Sequence, residues 1–160
     1  MIQSAATATM LCWVAQFSMA SEEAREALRR AQALHTERKT DEALREARRA
    51  LELAPDYVEA LTYYGTTLIT RKLTFADGLA ALERAAELAP DDPGVNYSLG
   101  WCYEFVAYRL EKQSMQPYRD PYALYELAAQ RLQRCIDLNP EQGLQDDAQD
   151  LLDSIKARLE

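Results

Sequence analysis

Few side chains in this sequence could do bond-making chemistry, and they are scattered. His35 is the single histidine in 160 residues. It falls at a helix-surface position, so a solvated imidazole explains it better than a general base. Cys12, Cys102 and Cys135 are an odd number with no short spacing between any two, which fits neither a zinc site nor a disulfide framework. Buried, inert thiols in a reducing, cytoplasmic compartment are the expectation, ahead of a redox pair between Cys102 and Cys135. No glycine-rich phosphate loop and no paired metal-ligand spacing occurs. No catalytic residue, cofactor or metal is therefore expected, and the chain does not read as an enzyme. What it does concentrate is aromatic surface. Tyr97, Tyr103, Tyr108, Tyr118, Tyr122 and Tyr125 are six of its nine tyrosines, and Trp101 and Phe105 fall among them. One helix pair cannot bury so many rings, so some should face a groove or solvent, where aromatic anchors supply binding energy.

The elements that position these rings are helical. Hydrophobic residues make up 48% of the chain, Gly and Pro are scarce, and Ala, Leu, Glu and Arg abound. The net charge of -8 argues against a nucleic-acid partner, because phosphate binding needs a surplus of Lys and Arg on one face. Residues 21–55 balance eight acids with eight bases, whereas residues 141–160 carry six acids and two bases, so the acidity collects at the C-terminal end as a solvated face. Arg25, Arg29, Arg30, Arg45, Arg48 and Arg49 are interspersed with Glu22, Glu26, Glu46 and Glu52, a pattern of helix-face ion pairs.

One block is written three times: ALREARRALELAP from Ala43 to Pro55, GLAALERAAELAP from Gly78 to Pro90, and AAQRLQRCIDLNP from Ala128 to Pro140. A second, apolar-faced helix precedes each copy. Small residues recur at fixed places: Ala31, Ala43 and Ala50, then Gly65, Gly78 and Ala85, then Gly100, Ala128 and Cys135. These features resemble the tetratricopeptide repeat, a helix-turn-helix unit of about 34 residues. The third unit also keeps Leu99 and Tyr103, as that family does. The resemblance covers about residues 24–140. It implies an all-α right-handed solenoid with repeats at about 24–57, 58–92 and 93–141, in which the small residues let paired helices approach to roughly 8–10 Å.

Departures from that pattern carry information. The second unit is 35 residues by the spacing of Pro55 and Pro90, one more than the family norm, and a wider turn should absorb the extra residue. The third spans 50 from Pro90 to Pro140, placing about sixteen extra residues between Tyr103 and Ala128. Tyr103, Val106, Ala107 and Leu110 continue the helical period, and Asp120-Pro121 reads as an N-cap followed by a first-turn proline. Both helices of this unit should be prolonged by more than a turn around a loop at Gln116–Asp120. Residues 142–160, with Leu144, Ala148, Leu151, Leu152, Ile155 and Leu159 at helical spacing, read as a terminal capping helix on a domain of residues 21–160. Residues 1–20 carry no charge and place Met10, Trp13, Val14 and Phe17 on one helical face. That face fits a helix covering the first repeat, in the same chain or across a homodimer. A signal peptide and an upstream artefact before Met19 are the other readings. The run is too short for a membrane span.

The resemblance also implies a function, which is to hold a protein or peptide partner in a groove lined by the first helix of each unit. Transferred by position, the groove has Arg25, Leu28, Arg29, Gln32, His35 and Thr36, then Glu59, Thr62, Tyr63, Thr66, Ile69 and Thr70, then Gly94, Tyr97, Ser98, Trp101, Glu104 and Phe105. Tyr63, Thr66, Tyr97, Trp101 and Phe105 are the expected contact residues. The Lys, Asn and Arg set with which chaperone-tail binders of the family clamp a C-terminal carboxylate is absent beyond the two arginines of the first unit. An exported envelope assembly factor or a self-associating scaffold is the alternative to a cytoplasmic scaffold.

Overall fold

The computed structural model describes residues 20–113 and 119–160, all of whose regular elements are helices. The expected N-terminal face of Met10, Trp13, Val14 and Phe17, and most of the loop at Gln116–Asp120 including Tyr118, lie outside the described residues. The chain divides into two compact units between Ala60 and Leu61.

In the first unit, α1 (Glu22–Thr36) starts where the Ser21 hydroxyl accepts from the Ala24 amide at 3.1 Å, with Glu22 and Glu23 at the positive end of the helix dipole. It ends at Arg38, which adopts a positive φ of 61°. Lys39 N donates to Leu34 O and Arg38 N to His35 O, the paired bonds that close a helix on a left-handed residue. The second helix, α2 (Thr40–Leu53), packs back on it. The contact is made largely of alanines: Ala24, Ala31, Ala43, Ala47 and Ala50 are each 0% exposed. Side chains this small bring two backbones close, which is what the recurring alanines were expected to do. The arginines of α1 are paired as anticipated, Arg25 with Glu22, Arg29 with Glu22 and Glu26, and Arg30 with Glu26.

The third helix, α3 (Val58–Thr67), runs on into a wider turn over Leu68–Lys72. There the Leu73 amide bonds Leu68 O, five residues back instead of four, and Leu73 closes the turn at a φ of 55°. Thr74 N reaches the same carbonyl at 3.1 Å. This wide π-type turn is where the extra residue of the 35-residue unit is taken up. Next come α4 (Phe75–Leu88), α5 (Pro93–Glu111), α6 (Pro121–Asp137) and α7 (Gln142–Leu159). Asp92 and Asp120 cap α5 and α6, each with proline in the first turn, as their sequences foretold. With 19 residues, α5 exceeds the 15-residue α1 by more than a turn. With 17 residues, α6 exceeds the 14-residue α2 and α4 by slightly less than one, so its prolongation falls short of expectation.

In the second unit α5 packs on α4, α6 and α7, and α6 packs on α7. Gly65 and Gly78 meet where α3 crosses α4: a Cβ on Gly65 would lie 2.6 Å from Gly78 O. At the α5–α6 crossing a Cβ on Gly100 would lie 2.9 Å from Leu132 Cγ. Leu99, Val106, Leu132, Leu152 and Ile155 fill the core between these helices, each burial contributing ~1.5–3 kcal/mol. Buried Asn96 locks the entrance to α5, its amide donating to Pro90 O and Asp92 O at 2.9 Å each and its carbonyl oxygen accepting from Arg131 at 3.4 Å.

Candidate peptide groove

The positions along α5 separate into two faces. Val95, Asn96, Leu99, Gly100, Cys102, Tyr103, Val106, Ala107 and Leu110 are buried. Tyr97, Ser98, Trp101, Glu104 and Phe105 are half-buried and repeat every three to four residues, a stripe that no described element of the unit covers completely. On α3 the half-buried residues include Thr62, Tyr63, Tyr64 and Thr66, and Thr70 is half-buried in the middle of its wide turn. The five expected contact residues all belong to these two stripes within the second unit. Ile69 does not: it lies within the wide turn, is 0% exposed and packs against Gly78. The first-unit candidates lie on α1, where Leu28 is buried at 4% exposure.

Trp101 and Phe105 stack at 5.8 Å between centroids with 25° between their planes, presenting one extended aromatic surface. Beside them the Thr66 hydroxyl donates to the Cys102 sulfur, tying α3 to α5 and committing one of the groove hydroxyls to the fold. Burial pushes the Cys102 thiol up to about 12, so it is a packing residue and not a nucleophile. Cys135 is raised for the same reason, and both are buried free thiols. Burial likewise raises the Tyr63 hydroxyl, a hydrogen bond from Thr67 partly offsetting it. Tyr97 is raised by burial and then by the Asp147 carboxylate of α7. Glu104 is raised by burial, with Arg158 opposing and Glu111 adding to the shift.

Two polar clusters hold the prolonged part of the third unit. Buried Tyr103 donates to Glu83 Oε1 at 2.7 Å, and Arg119, just before the cap of α6, donates to the same oxygen at 2.8 Å. At the far end of α5, Glu111 Oε2 accepts from Tyr125 at 3.0 Å and from Arg158 at 2.9 Å. The Arg158 guanidinium also lies over the Tyr125 and Tyr108 rings, at 5.2 and 5.8 Å. Neither cluster was legible in the sequence, since its members are 14 to 47 residues apart and follow no motif. Among the described residues no group of three His, Cys, Asp or Glu could hold a metal ion, and no helix is long and apolar enough to cross a membrane.

Helical hairpins closed by left-handed turns, small residues at each crossing and a half-exposed stripe on the first helix of a hairpin together decide the architecture. The chain has the tetratricopeptide-repeat fold. Solved tetratricopeptide-repeat structures similar to it include the first such domain of Spaghetti (RPAP3) bound to an HSP90 peptide, SRMEEVD, with a TM-score of 0.67 and 18% identity, covering 87% of this chain and 94% of that one. YrrB, a tetratricopeptide-repeat protein with an unusual peptide-binding site, matches with a TM-score of 0.59 and 22% identity, covering 81% of this chain and 58% of that one. No protein-family model and no curated protein matches the sequence. At these identities the tetratricopeptide likeness is one of fold.

Proposed function

We propose that this tetratricopeptide-repeat chain is a non-enzymatic scaffold that holds a peptide segment of a partner protein against the half-buried stripes of α3 and α5, with Tyr63, Thr66, Tyr97, Trp101 and Phe105 as contacts. The observation that carries the reading is the stacked Trp101–Phe105 pair, a large aromatic surface left half-exposed in the middle of α5. Such surface on a folded chain is characteristic of binding anchors. The likeness to a fold that holds peptides in other proteins supports it. The peptide SRMEEVD bound by the Spaghetti domain does not transfer, because the groove positions of α3 and α5 within the second unit carry no Lys, Arg or Asn to meet its acidic residues. On α1, Arg25 and Arg29 are already paired with Glu22 and Glu26.

The experiment is site-specific photo-crosslinking in native extract. A benzophenone side chain at Ser98, on the stripe, should capture a partner, while the same group at exposed Gln130 on α6 should not. Equal capture from both positions, or capture from Gln130 alone, would remove the groove assignment.

A further inference from the structure

The half-buried stripe of α5 carries one charged side chain among its aromatic ones, and that charge is negative. We propose that Trp101, Glu104 and Phe105 form a subsite for an arginine or lysine side chain of an otherwise apolar partner peptide, an inference that rests on the peptide-groove reading above. Helical spacing sets Glu104 three residues and Phe105 four residues beyond Trp101, so the two flank the indole on either side, each with its Cβ ~5–6 Å from that of Trp101. An aromatic face beside a carboxylate is the combination that attracts a cation from two directions. The ring quadrupole draws it over the indole, and the carboxylate pairs with its edge.

Glu104 is placed to need such a partner. Its carboxylate enters none of the ion pairs formed among the described residues. The cation that acts on it, Arg158, is engaged elsewhere, donating to Glu111 at 2.9 Å and lying over Tyr125 and Tyr108. Burial disfavours the charged form of Glu104, so the fold gains nothing from keeping an acid there, whereas a bound cation would stabilise the charge. The Asp147 carboxylate of α7 also acts on the Tyr97 hydroxyl of this stripe. A peptide carboxylate arriving at this surface would add to the acid already there. An arginine would meet two partners.

The test is phage display of random 12-residue peptides on the full chain, followed by titration of the enriched sequences. Selected peptides should carry Arg or Lys beside Phe, Leu or Trp, enriched on the order of fivefold over the naive library. Replacing that Arg by neutral citrulline should weaken binding on the order of tenfold, and Glu104→Gln should weaken the Arg peptide similarly while leaving the citrulline peptide unchanged. Neutral or acidic selected peptides, or Arg and citrulline peptides that bind alike, overturn the cation subsite. If those peptides still lose binding to Trp101→Ala, the groove reading survives that result. Failure to enrich any peptide, or enriched peptides that bind Trp101→Ala as well as the parent, overturns both.

Discussion

Substituting glycine by alanine should change stability in opposite directions at two positions of this chain, and the sign follows from the helix crossings. A Cβ at Gly65 would sit 2.6 Å from the carbonyl oxygen of Gly78 and 2.8 Å from Leu82 Cγ. Ordinary contact needs ~3.5 Å or more. The nearer atom is backbone and cannot rotate away, so α3 and α4 must separate, an overpacking cost of about 1–3 kcal/mol. Against it stands the better helix propensity of alanine, about 1 kcal/mol. With the cost at its upper end, Gly65→Ala should be net destabilising by roughly 1–2 kcal/mol. Gly143, in the first turn of α7, has nothing within 4 Å of its would-be Cβ. Gly143→Ala should therefore stabilise by roughly 0.5–1 kcal/mol. Gly100→Ala should fall between, because its 2.9 Å contact is with a side chain, Leu132, and the nearest backbone atom, Ala128 O, is farther away at 3.2 Å. Urea unfolding followed by far-UV circular dichroism reads the series, with midpoints displaced by roughly 0.5–1 M at the Gly65 extreme. Gly65→Ala stabilising the chain as Gly143→Ala does would refute the close approach of α3 and α4, and with it the role assigned to the recurring small residues.

Other expectations follow from the polar and buried groups. Tyr103→Phe should destabilise by about 1–2 kcal/mol, since Glu83 loses a buried donor, while Arg119→Ala should cost under about 1 kcal/mol because that guanidinium is partly exposed; urea midpoints decide the order. Cys102, in a Cys12→Ser background, should resist Ellman's reagent at pH 8 in the native chain and react once unfolded, since burial pushes its thiol up to about 12. Glu104→Gln should leave the melting temperature at pH 7 unchanged or higher. The folded carboxyl is raised above its unfolded value, so its contribution to stability is fully present below the unfolded pKa and is lost as pH rises through the folded one. A lower melting temperature for Glu104→Gln at pH 7 would contradict that sign.

The threefold block, the small residues at the crossings, the proline-led caps at Asp92 and Asp120 and the terminal helix were all legible in the sequence, because each depends on local spacing or on one residue type that a turn or crossing demands. The stripe of α5 was legible for the same reason, since its five half-buried positions follow the helical period. Ile69 was misplaced because transfer by position assumes a regular α-helix up to the turn. Here the helix ends in the wide turn over Leu68–Lys72, which contains Ile69, and that side chain is buried. The Tyr103–Glu83–Arg119 and Glu111–Tyr125–Arg158 clusters were invisible, since long-range pairing of polar side chains leaves no periodic trace. They show why the third unit can be long: its extra length is held by carboxylates on α4 and α5 and by the end of α7.

The central claim is that the Trp101–Phe105 surface binds and is not merely packing. Isothermal titration of a selected peptide, or of the crosslinked partner's segment, against the parent chain and Trp101→Ala tests it most directly. Affinity should fall by about 2 kcal/mol or more, with helical content and melting temperature little changed, since Trp101 is half-exposed where Leu99 is 0% exposed. Equal affinity for both chains, or loss of helix in Trp101→Ala, would make the ring a bystander or part of the core and would contradict the account.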